Sequence, residues 1–171
     1  KNNLNLILPF DEYLKVDDEK QINKFINELK ELYYSYAYNK INIEYELVNP
    51  DDNQNFTDIE FIINEGKISK INKIKFIGNS FYKRSILLNN IKSQERNYFK
   101  LRLFNNFKYY VVENDLLRLR NFYLNRGFRD IKIESKTEYL ESKNKFNIYF
   151  YINEGKLYSF DKFNLKINLN N

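Results

Sequence analysis

One five-residue word occurs twice in this chain. Ile63-Asn64-Glu65-Gly66-Lys67 returns as Ile152-Asn153-Glu154-Gly155-Lys156, 89 positions later. The likeness extends upstream with a one-residue slip. Leu29, Tyr33, Ala37, Tyr38, Ile41, Ile43 and Glu44 align with Leu119, Tyr123, Gly127, Phe128, Ile131, Ile133 and Glu134. A period near 89 is too long for a solenoid repeat of about 20–50 residues. It fits a string of small domains, and 171 residues leave room for no more than two of them.

Each copy reads alike. Asp18-x-x-Gln21 has the form of a capping box, and Ile22, Phe25, Ile26, Leu29, Leu32, Tyr33 and Tyr36 then keep helical spacing. In the second copy Tyr109, Val112, Leu116, Leu119 and Tyr123 do the same, and Gly127 stands where a helix end needs a left-handed residue. Two alternating strands follow each helix: Ile41, Ile43, Tyr45 and Leu47 with Ile59, Phe61 and Ile63; then Ile131 and Ile133 with Phe146, Ile148, Phe150 and Ile152. The turns are Asn49-Pro50-Asp51-Asp52-Asn53 and Glu141-Ser142-Lys143-Asn144. Ile71 to Gly78, with Ile74 and Phe76 on one face, predicts a further strand, and Ser80 is placed to cap a short helix carrying Ile86, Leu87 and Ile91. Phe76, Leu119, Tyr123, Ile133, Phe150 and Ile152 are expected to share one core.

Composition removes most chemistry. Cys and His are absent, so thiol nucleophiles, disulfides, imidazole acid–base catalysis, hydrolase triads and the usual zinc sites have no residues to build them. Four glycines cannot make a phosphate-cradling loop. The acids Asp51, Asp52, Asp58 and Glu60 lack the alternation and the glycine of a calcium loop and read as a solvated turn. No catalytic residue, metal or cofactor is expected, and no apolar run approaches the length that spans a bilayer.

The order β-α-α-β-β, with Ile74-Lys75-Phe76-Ile77-Gly78-Asn79, Asn121-Phe122-Tyr123-Leu124-Asn125-Arg126-Gly127-Phe128 and Asn153-Glu154-Gly155-Lys156-Leu157-Tyr158-Ser159-Phe160, resembles tandem POTRA domains of the outer-membrane β-barrel assembly factors, the BamA family. The long segment Lys92–Lys108 is similar to the extended inter-helix loop of the rickettsia-like branch. Ala37 in place of glycine, and Leu165-Lys166-Ile167-Asn168 in the third stretch, depart from the pattern. The resemblance implies an α+β fold, each domain a three-stranded mixed sheet covered by two antiparallel helices. It divides the chain into an N-terminally truncated POTRA domain (1–66), a complete one (67–155) and the first strand of a following one (156–171). Residues 2–8 fit either a strand or a helix remnant. A fragment cut in this way is expected to exchange its C-terminal strand, Phe160 to Leu169, between copies at high concentration.

Three candidate sites follow. The joints Glu65-Gly66 and Glu154-Gly155 turn one domain's last strand into the next domain's first, and the absence of a Ser/Pro linker makes the array a semi-rigid arm. The resemblance makes the strand after the second long helix an edge, so Asp130, Ile131, Lys132, Ile133, Glu134, Ser135 and Lys136 are the place where a client strand would add by main-chain hydrogen bonds. The lysines there guard against promiscuous pairing. In the 92–108 stretch, Arg96, Tyr98, Phe99, Lys100, Arg102 and Phe104 interleave cations with rings, which suits a protein contact, rings folded back on the helices, or single-stranded RNA. The resemblance implies a periplasmic scaffold, the soluble part of an outer-membrane protein. It would receive unfolded outer-membrane proteins, dock accessory lipoproteins, bind no nucleic acid, and reach the membrane only through a C-terminal barrel outside these residues. The rivals are the POTRA region of a secretion or autotransporter-assembly translocator, and an RNA-binding module.

Overall fold

The computed structural model describes residues 19–48, 58–95, 105–159 and 162. Helix α1 (Glu19–Ser35) turns Ile22, Ile26 and Leu29 inward, and Phe25, Leu32 and Tyr33 pack beside them. They meet Ile41 and Ile43 from the hairpin of β1 (Asn42–Val48) and β2 (Asp58–Asn64), which pair antiparallel with Ile43 opposite Ile63. Tyr36, expected on the helix face, lies past the helix end and is exposed.

The second unit runs β3 (Lys70–Ile77), α2 (Arg84–Asn89), α3 (Tyr109–Leu124), β4 (Lys132–Leu140) and β5 (Lys145–Asn153). Its sheet has the order β3-β5-β4, with β3 parallel and β4 antiparallel to β5. This is the mixed three-stranded sheet that the resemblance implies. The alternation of β5 is complete: Phe146, Ile148, Phe150 and Ile152 are buried. Against them pack Val112, Leu119, Phe122 and Tyr123 of α3 and Leu87 of α2. Five of the six expected core residues are buried, and Phe76 is half-buried, stacked on Phe150 at 5.5 Å.

Three local details differ from the sequence reading. Ser80 does not cap α2: the helix starts at Arg84, its N-cap is Lys83 with no side-chain cap, and the Ser80 N–H donates to Glu154. Tyr109 begins α3 but is half-exposed. Phe107 leaves the basic stretch to stack on Phe146 at 3.8 Å, fully buried. The capping box at Asp18, the Asn49–Asn53 turn, the 2–8 segment and the 160–169 strand lie outside the described residues, as does the strand exchange they would support. Among the described residues, no helix is long and apolar enough to cross a membrane.

Candidate functional site

The two edges of the second sheet differ. The β3 edge is occupied. Ile71 N–H donates to Asn105 O at 2.7 Å, and Asn105 Nδ2 returns a bond to Ile71 O at 2.9 Å. Ile74 N–H donates to Glu95, while Arg84 Nη2 donates to Ile74 O at 3.3 Å and to Glu95 at 2.7 Å. Loop and side chains thus saturate the outward backbone groups of these two residues, which blunts the edge.

The β4 edge has no strand beside it among the described residues. Its backbone directions follow from the ladder. Lys70 N–H donates to Asn144 O, so Lys70 faces β5, and Lys145, its register partner, faces β4. Direction alternates along a strand. Lys145, Asn147, Tyr149, Tyr151 and Asn153 therefore bond to Leu140, Glu138, Lys136, Glu134 and Lys132 across the ladder. The groups left pointing away from the sheet belong to Ile133, Ser135, Thr137 and Tyr139. At its C-terminal end the edge is partly covered: the Lys40 ammonium sits 4.1 Å from the Tyr139 ring.

Of the edge residues named from sequence, Lys132 to Lys136 lie in β4, whereas Asp130 and Ile131 precede it. Ile131 and Ile133 are buried, Glu134, Ser135 and Lys136 are exposed, and Asp130 accepts the Tyr158 hydroxyl at 2.7 Å. Arg96, Tyr98, Phe99, Lys100, Arg102 and Phe104 lie outside the described residues.

The joints repeat in detail. Gly66 and Gly155 have φ of 67° and 66°, the left-handed region that glycine enters without strain. Three residues beyond each glycine, an N–H returns to the end of the preceding helix: Ser69 to Ala37 O and Tyr158 to Gly127 O, both at 2.9 Å. Ala37 (φ 72°) and Gly127 (φ 91°) share the left-handed conformation, so the departure at Ala37 changes the residue and keeps the geometry.

Sequence reading placed Glu154 at a turn and missed its second role. The residue is 6% exposed, and its carboxylate accepts the Tyr123 hydroxyl at 2.8 Å and the N–H groups of Ser80 and Phe81. It ties the joint to α3 and to the loop after β3. The aligned pair Tyr33–Glu65 was the available signal. There, burial and the hydrogen-bonded Glu65 carboxylate raise the Tyr33 hydroxyl above its usual range, although Glu65 itself is exposed. Burial, then the Glu154 hydrogen bond and charge, push the Tyr123 hydroxyl well above its usual value. A raised folded-state pKa means that the neutral hydroxyl carries the stabilisation. That contribution is complete below the ordinary tyrosine value of about 10 and is lost as pH rises towards the folded-state value. Tyr123→Phe is expected to cost about 1.5–3 kcal/mol near neutral pH and to flatten the fall in stability above about pH 10, read from denaturant melts across pH. Equal alkaline slopes for the two proteins would refute the coupling.

The comparisons with known proteins agree with this geometry. The POTRA family model, described as "Surface antigen variable number repeat", matches residues 69–155. Outer membrane protein assembly factor BamA of Neorickettsia risticii (strain Illinois) is 32% identical over 148 residues, covering 85% of this chain and 19% of that protein. BamA of Buchnera aphidicola subsp. Acyrthosiphon pisum (strain APS) is 27% identical over 168 residues, covering 94% of this chain and 27% of that protein. The chain therefore spans about a fifth to a quarter of these relatives. The crystal structure of BamA from Haemophilus ducreyi lacking POTRA domains 1–3 superposes with a TM-score of 0.54 at 19% identity, covering 88% of this chain and 26% of that one. With half the chain inside the family model and the β-α-α-β-β order and mixed sheet in place, this chain belongs to the POTRA family.

Proposed function

We propose that this chain is part of the periplasmic POTRA arm of an outer-membrane protein assembly factor, a non-enzymatic scaffold that receives unfolded β-barrel proteins and docks accessory lipoproteins. Residues 67–155 form its complete unit, and the joints at Gly66 and Gly155 keep the arm semi-rigid. The observation that carries the reading is the asymmetry of the sheet: outward backbone groups of Ile71 and Ile74 on β3 are capped by Asn105, Glu95 and Arg84, whereas the outer side of β4 has no strand beside it among the described residues. An extended client segment adding to β4 would bond to the main chain of Ile133, Ser135, Thr137 and Tyr139. Such pairing depends little on client sequence, which suits a carrier of many different strands.

The ladder directions select the test. Proline at Lys132 or Lys136 removes a bond to β5 and damages the sheet. Proline at Ser135 removes only an outward N–H. Ser135→Pro is expected to keep the thermal melt within a few degrees and to abolish binding of an amphipathic barrel-strand peptide. Lys136→Pro lowers the melt. With the unaltered chain, the same peptide slows amide exchange at Ser135 and Thr137 and leaves Ile74 unchanged. Peptide binding by folded Ser135→Pro at the original affinity, or protection confined to 92–108, would overturn the edge assignment.

A further inference from the structure

The sheet of the second unit has a face turned away from the helices, and that face has a pattern of its own. Down its centre run Tyr149 and Tyr151 of β5, half-buried and 42% exposed respectively. The register sets Lys75 and Lys136 on either side of Tyr149, and Ile77 and Glu134 on either side of Tyr151. Lys73 and Lys132 extend the two outer rows, and all four lysines are exposed. Neighbouring strands stand about 4.8 Å apart, so rings and ammonium groups make one surface about three strands wide.

The centre of this surface is held in place. Glu138 accepts the Tyr149 hydroxyl at 2.7 Å and Asn147 Nδ2 at 2.9 Å, and Asn72 Nδ2 donates to Asn147 Oδ1 at 2.8 Å. The Lys75 ammonium lies 5.5 Å from the Tyr149 ring. Asn147 first and Tyr149 second hold the Glu138 carboxyl below its usual range, so it stays charged. Ring-bearing centres with charged rims are the anatomy of protein interfaces, and tyrosine is enriched among their strongest contacts.

We infer that this outer sheet face is a docking surface for an acidic, aromatic-bearing segment of a partner protein. Charge complementarity selects the occupant: Lys73, Lys75, Lys132 and Lys136 outnumber Glu134 and Glu138 on this face, so the partner's facing residues are predominantly acidic, and the exposed Tyr151 ring offers a stacking contact. Glu134 and Glu138 on the same face disfavour a polyphosphate chain or an anionic bilayer, both of which would set unpaired negative charge against them. A polypeptide can meet each glutamate with a donor. The surface goes beyond the edge-strand reading, since it uses side chains of the face and leaves the outward backbone of β4 free.

The test uses the isotope-labelled chain at physiological ionic strength. The probe is a random glutamate–tyrosine copolymer, with phosphatidylglycerol–phosphatidylcholine vesicles and an oligothymidylate as parallel arms. The expected result is amide and side-chain shifts centred on Lys73, Lys75, Lys136, Tyr149 and Tyr151 with the copolymer, and weaker binding in both other arms. Lys75→Glu with Lys136→Glu weakens copolymer binding about tenfold or more. Should that pair perturb folding, Lys75→Gln with Lys136→Gln gives a smaller loss in the same direction. Ser135→Pro leaves copolymer binding unchanged, which separates this surface from the strand edge. Shifts elsewhere, tighter binding to vesicles or oligothymidylate, or indifference to both lysine pairs would overturn the proposal.

Discussion

Leu119→Ala lowers the unfolding free energy by about 2–5 kcal/mol. Leu119 is fully buried in α3, in the cluster that joins the helix to Ile133, Phe150 and Ile152. Truncation removes apolar area from the core and leaves a cavity among aromatic rings. Tyr123, Phe128 and Tyr82 are locked edge-to-face at 5.3–6.0 Å, so the surroundings collapse poorly and the loss falls in the upper half of that range. Small domains hold about 5–15 kcal/mol in all, and a loss of this size moves the thermal midpoint by many degrees. Coincident melts of the variant and the parent would place Leu119 outside the core.

Asp115→Ala is the second large effect, about 2–4 kcal/mol, from the loss of charge-assisted hydrogen bonds to two backbone N–H groups. The carboxylate is completely buried on α3 and accepts Lys92 N–H and Ser93 N–H, each at 2.7 Å, and Arg118 Nη1 at 2.9 Å. Without it, the buried Ser93 N–H loses its partner, and the chain leaving α2 loses the anchor that starts the 92–108 segment. Asp115→Asn keeps one acceptor and sets an amide against a donor, so it falls between the alanine variant and the parent. Amide exchange at Lys92 and Ser93 should accelerate in both variants, while β5 is less affected. Unchanged exchange at those two positions would mean that the anchor is dispensable.

Asp115 also shows where sequence reading stops. On its helix it stands three residues after Val112 and four before Leu119, within the apolar stripe, but nothing local names the partners that let an acid be buried there. Its donors lie 22 and 23 residues away in an irregular segment, and no period links them. Glu154 was visible as a repeated joint residue, yet its role as acceptor for Ser80 and Phe81 depends on a contact across more than 70 positions. The expected cap at Ser80 fails by position: α2 starts only at Arg84, and Ser80 lies in the loop that Glu154 anchors.

The amino-acid sequence by itself determined the repeat, the order of elements, the alternation that buries Phe146 to Ile152, and the left-handed residue Gly127 at the end of α3. Each of these is local: a period of 2 or 3.6 residues, or a positive φ, is written in neighbouring side chains. Strand order and ladder direction were decided only in the tertiary structure. On the β3 edge, Ile71 and Ile74 are saturated by Asn105, Glu95 and Arg84, residues from other parts of the chain. Ser135 points outward and Lys136 inward because one bond, Lys70 to Asn144, sets the phase of the whole sheet. Backbone direction alternates with side-chain direction, but its starting phase comes from the neighbouring strand, which lies far away along the chain.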